Sequence, residues 1–436
     1  MNYIRQLIYD MRNQKMMTWV SICGTAVSIF LVLVFFMVDS LTKVEVAPET
    51  RRHLIYGANQ FSIKITGGER NGWGNNSQFS YPYARRLFEN LDGVEAVSYV
   101  TGAYSMSAAT DTGLPISASV KCVDGNFWKL YDFDFMQGRS FTEEECLDKN
   151  VNPIVLSDRL ARSLFGSTEV LDRFLSLNSS KFFVVGVIEN TSPILSNTFY
   201  DAFIPLHEGV RKTNQNLPEF AGNGYITALL LFKEGVDMES VMRQINSRLA
   251  TINSELKDLN VEASIPYINT PEDMIPGNRW IWDNNINSVV DRHYLVYLLL
   301  LLLPAINLNS MMRGRMQHRI SEMGVRRAFG AKRRDIILQL LGENLLVTVT
   351  GGVIGLVLSY LFMMFLSSSF IMMPGISWNS SLAVKLYTPT FEMLFTWKSF
   401  VLALGACLVL NILTASLPAW RASAVPPSAA ISKSRT

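Results

Sequence analysis

The densest chemical character in this 436-residue chain lies between Arg319 and Asp335, where Arg326, Arg327, Lys332, Arg333 and Arg334 mix with apolar Met323, Val325 and Phe329. The stretch is helix-forming as far as Phe329, Gly330 is placed to end that helix, and Ala331 to Asp335 restart the chain. Cations and apolar side chains together on a short helix suit docking into a groove on a soluble partner. The same mixture suits an anchor lying on anionic headgroups, and the residues alone leave the two open.

Bond-making chemistry finds no comparable constellation. No G-x-x-x-x-G-K-[ST] loop is present to cradle a nucleotide phosphate, and neither H-E-x-x-H nor G-x-S-x-G occurs. His53, His207, His293 and His318 stand too far apart in sequence for a local metal site. Glu143, Glu144 and Glu145 read as the solvated start of a helix. No catalytic residue, metal ligand or cofactor is therefore assigned to this chain, and ATP with its magnesium is left to a partner. A site assembled from residues distant in sequence is the weaker alternative.

The elements that must position the basic segment are long apolar runs. Hydrophobic residues make up 49% of the chain and charged residues 17%, the balance of a membrane protein with a sizeable water-soluble part. The net charge of +2 is uninformative, but no basic tract interleaves with aromatics, which points away from nucleic acid. Four segments can span a bilayer, which takes about 20 mostly apolar helical residues. They are residues 16–38, 294–312, 336–366 and 398–420, the apolar part of the third lying within 344–366. The first is too long for a signal-peptide core and has no small-residue cleavage site before Asp39, so it is expected to be retained as an anchor.

Lys and Arg mark the cytoplasmic loops. Arg313, Arg315, Arg319 and the cations up to Arg334 fall in the connection 313–335, whereas 367–397 carries only Lys385. The predicted fold is thus a multi-pass α-helical membrane protein with four transmembrane helices and a large α+β extracytoplasmic domain, residues 39–291, between the first two. Residues 1–15 are read as a cytoplasmic amphipathic helix, 367–397 as a short outer loop and 421–436 as a cytoplasmic tail.

Within the outer domain, Ser80 is placed to cap a helix over Pro82 to Leu91, and Ile116, Ala118, Val120 and Cys122 alternate as one face of a strand. A hairpin over Arg173 to Ile188 turns at Asn178, Ser179 and Ser180. Met238, Met242, Ile245, Leu249, Ile252 and Leu256 form the apolar stripe of an amphipathic helix that packs rather than binds. Cys122 and Cys146 share the oxidising side of the membrane and could pair, whereas Cys23 and Cys407 lie inside spans; two cysteines define no framework, and the bridge stays open.

The run Glu322-Met-Gly-Val-Arg-Arg-Ala-Phe-Gly-Ala331 resembles the E-I-G-x-x-x-A-x-G-A signature of FtsX-like permeases of the MacB type. Other pieces follow in family order. Glu343 with Gly351, Gly352 and Gly355 matches the third span, and Pro418, Ala419, Arg421 and Ala422 with Pro427 match the cytoplasmic exit motif. Val123 to Trp128, Gly138 with Arg139, Asn152 to Ser157 and Phe183 to Ile188 resemble the periplasmic core. Met323 and Phe329 replace the family's Ile and Leu while keeping apolar docking; Pro426 and Ala429 stand where an acidic residue is common in the exit motif.

The resemblance implies that Arg319, Glu322, Met323, Gly324, Val325, Arg326, Arg327, Ala328, Phe329, Gly330 and Ala331 rest on a separate ABC ATPase subunit. It further implies a dimer with a second copy or paralogue in the bacterial inner membrane, both termini cytoplasmic, and a periplasmic adaptor or substrate protein as a further partner. The expected function is mechanical: ATP hydrolysis elsewhere moves the coupling segment, the spans tilt, and the periplasmic domain changes shape to export a peptide, antibiotic or lipoprotein. A lipoprotein-releasing permease and a non-transporting regulator of a cell-wall hydrolase share this topology. The spans offer little polar lining beyond Pro304, Asn307, Asn309, Glu343 and Asn411, and the three glycines read as helix packing.

Overall fold

The computed structural model describes residues 15–43, 45–67, 71–111, 113–148, 150–191, 195, 197–206, 221–271, 274, 329, 332–370, 401, 404, 405 and 409. Two compact units divide it: a helical one, and an α+β one built mainly from Lys43–Asn284.

The helical unit begins with α1, Lys15–Lys43. The α+β unit follows with β1 Ile55–Ala58, β2 Phe61–Ile65, β3 Gly74–Phe79, α2 Tyr81–Phe88, β4 Val94–Ala109, β5 Ile116–Val123 and α3 Phe127–Leu130. Next come β6 Phe135–Gly138, α4 Glu143–Leu147, β7 Pro153–Ser157, α5 Asp158–Phe165, β8 Phe174–Leu177 and β9 Ser180–Ile188. The unit ends with β10 Ala202–Pro205, β11 Asn223–Gly224, β12 Thr227–Phe232, α6 Met238–Leu256 and β13 Val261–Ser264, and the chain returns to the helical unit as α7, Arg333–Phe370.

The large sheet runs β1-β12-β4-β5-β10-β7-β9-β6, with β8 joining β9 back to β4. The pairings therefore close on themselves through β4, β5, β10, β7, β9 and β8. β4 allows this because a register shift between Val100 and Ala103 bends it, so its first half pairs β12 and its far end pairs β8. Closing the strands removes edges that would otherwise remain unpaired. A second sheet, β11-β3-β2-β13, packs its Phe61, Ile63 and Phe79 into the same core.

Strand alternation sorts the core onto two faces. In β12, Ala228, Leu230 and Phe232 enter one cluster and Leu229 and Leu231 the other. Ile116, Ala118, Val120 and Cys122 of β5 all lie on the first face, with the stripe Ile245, Leu249, Ile252 and Leu256 of α6. The second face carries a dense aromatic group of Phe127, Trp128, Tyr131, Phe133 and Phe203. At the β8–β9 turn Asn178 and Ser179 both take positive φ, 42° and 73°, as a tight two-residue hairpin turn demands.

Three local details differ from the sequence reading. Ser80 occupies the N-cap of α2, but its buried hydroxyl makes no capping bond, and the helix ends at Phe88 because Arg248 of α6 donates to the carbonyls of Leu87 (3.2 Å), Glu89 (2.5 Å) and Asn90 (2.9 Å). The acidic run is only partly solvated: Glu143 accepts from Gly125 N–H at 2.8 Å, and Glu145 closes a capping box with Thr142 and pairs Arg139 at 2.8 Å. Cys122 and Cys146 are not bridged to each other; both are buried thiols. Cys122 faces the first core and Cys146 the second, so the sheet lies between them.

Candidate functional site

The first residues of the α+β unit are bonded into its body one after another. The Pro48 carbonyl accepts from Asp132 N–H at 2.9 Å, and the Thr50 hydroxyl donates to the Asp132 carboxylate. Arg51 donates to the Lys129 carbonyl at 2.6 Å and pairs Glu95 at 3.2 Å. Glu49, fully buried, accepts from Asn197 N–H at 3.2 Å and from the Thr198 hydroxyl at 3.0 Å. Its other oxygen faces Arg52 Nε at 3.6 Å.

A second cation closes the group. Lys121 projects from β5, 4% exposed, and donates to the Asn197 carbonyl at 2.9 Å, so Glu49 and Lys121 hold the N–H and the carbonyl of the same residue. Its ammonium lies 4.8 Å from the Tyr200 ring centroid and 5.7 Å from that of Phe127. Burial pushes the Lys121 amine down to about 8, opposed by the nearby Glu49. Burial likewise raises the Glu49 carboxyl above its ordinary range, with Arg52, Thr198 and Lys121 pulling it back. Tyr200 is pushed up to about 12 by burial and then by the Glu49 charge.

Charged groups in such surroundings cost stability unless their geometry is good, and they leave the segment 45–54 little freedom to slide. The arrangement is a mechanical anchor: it fixes residues 48–51 to Lys129 of α3, to Asp132, to Glu95 of β4 and to Asn197 and Thr198. Its residues are not singled out by the sequence. The one signal is Lys121, the only charged residue of β5.

In the helical unit, the predicted packing glycines lie against α1. A Cβ on Gly355 would stand 2.8 Å from the Ala26 carbonyl and 3.1 Å from Phe30 N, and one on Gly351 3.0 Å from Thr25 Cβ. Gly352 faces Leu404, where a Cβ would reach Cδ1 at 2.9 Å. Phe30 and Phe362 meet edge to face with centroids 5.3 Å apart. The exposed faces of both helices are apolar, with Trp19, Val20, Val27 and Leu31 on α1 and Leu345, Val349, Val353, Val357 and Leu361 on α7, while Thr18, Ser21, Thr25, Thr348 and Ser359 are buried. Among the described residues one helical stretch, Leu345–Met364, is long and apolar enough to cross a bilayer, and Thr18–Val34 is a shorter apolar run.

Residues 18–248 match the model of the MacB-like periplasmic core domain, and residues 294–427 match that of the FtsX-like permease C-terminal region. The chain belongs to the FtsX-like permeases with a MacB-like periplasmic core. Among relatives, the macrolide export ATP-binding/permease protein MacB of Escherichia coli K12 is 23% identical over 73% of this chain, and that of Wolinella succinogenes 25% identical over 72%. The chain spans 44% and 43% of those relatives, less than half of their length. The periplasmic region of MacB from Actinobacillus actinomycetemcomitans aligns at 15% identity and a TM-score of 0.32, covering 48% of this chain and 90% of its own. The extracellular domain of the noncanonic ABC-type transporter YknZ aligns at 15% identity and 0.28, covering 47% and 100%.

The core motifs shared with MacB-like permeases are architectural here. Asp124 accepts from the Ser98 hydroxyl (2.7 Å), Tyr99 N–H (2.9 Å) and Phe127 N–H (3.1 Å), tying β4 to the start of α3. Gly138, at φ +71°, leaves room for the Val185 carbonyl that any Cβ would overlap. Of the residues predicted to couple to an ATPase, Phe329 is described and exposed; Arg319, Glu322, Met323, Gly324, Val325, Arg326, Arg327, Ala328, Gly330 and Ala331 lie outside the described residues. So do Pro418, Ala419, Arg421, Ala422 and Pro427 of the exit motif, and the predicted second span.

Proposed function

We propose that this permease is a mechanical transmitter: ATP hydrolysis on a nucleotide-binding subunit outside these 436 residues displaces the segment 319–331, the spans shift, and the periplasmic core changes shape to expel a periplasmic substrate. Four spans in the inner membrane with both termini cytoplasmic place the coupling segment on the ATPase side and the α+β unit on the other. The outward faces of α1 and α7 are apolar as well as their buried faces, which supports a lipid environment for the helical unit.

The observation that supports the mechanical reading is the anchoring of the first residues of the α+β unit. Residues 48–51 bond to Asp132, Lys129, Glu95, Asn197 and Thr198, so this segment moves with the body of that unit and does not act as a loose linker. The permease is expected to act with a second permease subunit, as the two-helix contact through Gly351 and Gly355 leaves the apolar outer stripe of α7 free for lipid or a further subunit.

Affinity purification of the tagged protein in mild detergent tests this reading. Stoichiometric recovery of an ABC ATPase with measurable ATP turnover supports it. Recovery of the permease without any nucleotide-binding protein, across several detergents, would replace transmission with a stand-alone membrane role.

A further inference from the structure

The small sheet β11-β3-β2-β13 has two edges, and the chain treats them differently. In an antiparallel ladder, alternate residues turn their N–H and C=O to opposite sides of the strand. On the outer side of β13 the Asn253 amide of α6 stands in for a neighbouring strand. Its Nδ2 donates to the Ala263 carbonyl at 2.9 Å, and its Oδ1 accepts from the Ala263 N–H at 2.7 Å. One side chain thus closes that edge.

The alternation carries across the sheet to the other edge. With Ala263 turned outward, Glu262 and Ser264 bond their register partners Lys64 and Ser62, which leaves Ile63 and Phe61 of β2 to bond Asn75 and Ser77 of β3. The Ile65 N–H donating to the Trp73 carbonyl at 2.7 Å continues the pattern. Gly74, Asn76 and Gln78 therefore turn their main-chain groups outward. β11 takes Gln78, opposite Gly224, and the Ser80 N–H reaches the Gly222 carbonyl at 2.7 Å. Among the described residues no strand covers Gly74 or Asn76 on that side, and both are exposed.

Three features decide what fits this open stretch. Its free N–H and C=O groups repeat about every 7 Å, the spacing of another extended backbone. Residues 74–78, Gly-Asn-Asn-Ser-Gln, carry no charge, and the charged residues of the strands behind them, Lys64 and Glu262, face each other. Trp73 precedes Gly74 and Tyr225 follows Gly224; each is 69% exposed, and exposed aromatics are common interface anchors. The stretch from Gly74 to Ser77 admits about four residues before Gly224 blocks the line. A second copy pairing its own β3 here, Gly74 against Asn76, would bring its Gly72 opposite Gln78, where Gly224 already sits.

We propose that the outer edge of β3 receives an extended, uncharged segment of a partner protein. Its backbone bonds Gly74 and Asn76, and its apolar side chains meet Trp73 and Tyr225. The site lies within the α+β unit and does not depend on how the permease is driven.

The test is fluorescence anisotropy with the detergent-purified full chain and a labelled, end-blocked pentapeptide of alternating Val and Thr, residues that favour the extended state. Saturable binding is expected, and none by the same peptide with N-methylated amides, which cannot donate. Asn76→Pro deletes one outward N–H while sparing the ladder to β2, and should weaken binding about tenfold; Asn76→Thr should leave it unchanged. Trp73→Ala should also weaken it about tenfold at an unchanged melting midpoint, and decides alone if Asn76→Pro lowers that midpoint. Absence of saturable binding would overturn the proposal, as would equal binding of the N-methylated peptide or binding unaltered in Trp73→Ala. Absent peptide binding together with loss of dimers in Asn76→Pro by light scattering would assign the edge to a second copy instead.

Discussion

Glu49→Ala removes the one carboxylate that stands between two buried cations. Arg52, 3.6 Å away, and Lys121, bonded to the Asn197 carbonyl, would then lose the buried carboxylate that both oppose. The Asn197 N–H and the Thr198 hydroxyl would lose their shared acceptor as well. Breaking a buried ion pair by deleting one partner costs roughly 3–5 kcal/mol, and an abandoned buried donor about 1–3 kcal/mol. These terms overlap, and part of the desolvation cost of the carboxylate is recovered when it is removed, so the expected loss is about 4 kcal/mol. That is a large part of the roughly 5–15 kcal/mol that holds an ordinary domain folded. Glu49→Gln retains an acceptor oxygen for Asn197 and Thr198 and loses only the charge, so it should fall between wild type and alanine. Glu49→Met combined with Arg52→Met removes carboxylate and guanidinium together and should be less damaging than Glu49→Ala alone by at least about 1 kcal/mol. Urea unfolding of the detergent-purified chain, read through tryptophan fluorescence, measures all three; Trp128 lies in the aromatic group on the same face. Alanine and glutamine variants within about 0.5 kcal/mol of wild type would refute the energetic reading. So would a double variant less stable than Glu49→Ala.

Stability should also rise with pH in a window set by Lys121. Its folded value of about 8 lies below the ordinary 10.5, so the unfolded chain binds more protons between those pH values and the penalty of burying the ammonium fades across them, by about 3 kcal/mol in all; Lys121→Met should flatten that slope in pH-dependent melting curves. Gly355→Ala puts a methyl 2.8 Å from the Ala26 carbonyl and is expected to lower helical-unit stability by about 1–3 kcal/mol, whereas Gly405→Ala, with nothing within 4 Å, should be neutral in the same melting assay. Arg248→Ala strips three carbonyls at the end of α2 of their donor and should cost about 1–2 kcal/mol in urea unfolding, with Arg248→Lys recovering only part because a point charge cannot replace the fork. Glu322→Lys is expected to abolish ATPase association in the pull-down while membrane insertion persists; unchanged association would favour the headgroup-anchor reading of that segment.

Much of the architecture was written into short stretches of the chain. The alternation of Ile116, Ala118, Val120 and Cys122 marks β5, the three-and-four spacing from Met238 to Leu256 marks α6, and Asn178 with Ser179 marks the turn into β9. Each is legible because a strand or helix repeats its burial every two or 3.6 residues, and because few residues tolerate positive φ. The same local patterns support the apolar runs of α1 and α7 and the small residues, Gly351 and Gly355, where helices approach.

Pairings between distant residues required the tertiary structure. Glu49 meets Thr198 across 149 positions, and Arg86 meets Glu255 across 169, with no periodicity to announce either. Arg52 reads as an ordinary surface arginine until the fold buries it. Cys122 and Cys146 look pairable in a line of letters, but β5 turns Cys122 into one core while α4 carries Cys146 into the other, with the sheet between them. Propensity and periodicity act over one or two turns of chain, so the sequence by itself determined the elements. Which charges are desolvated together depends on how those elements stack, and only the tertiary structure decided that.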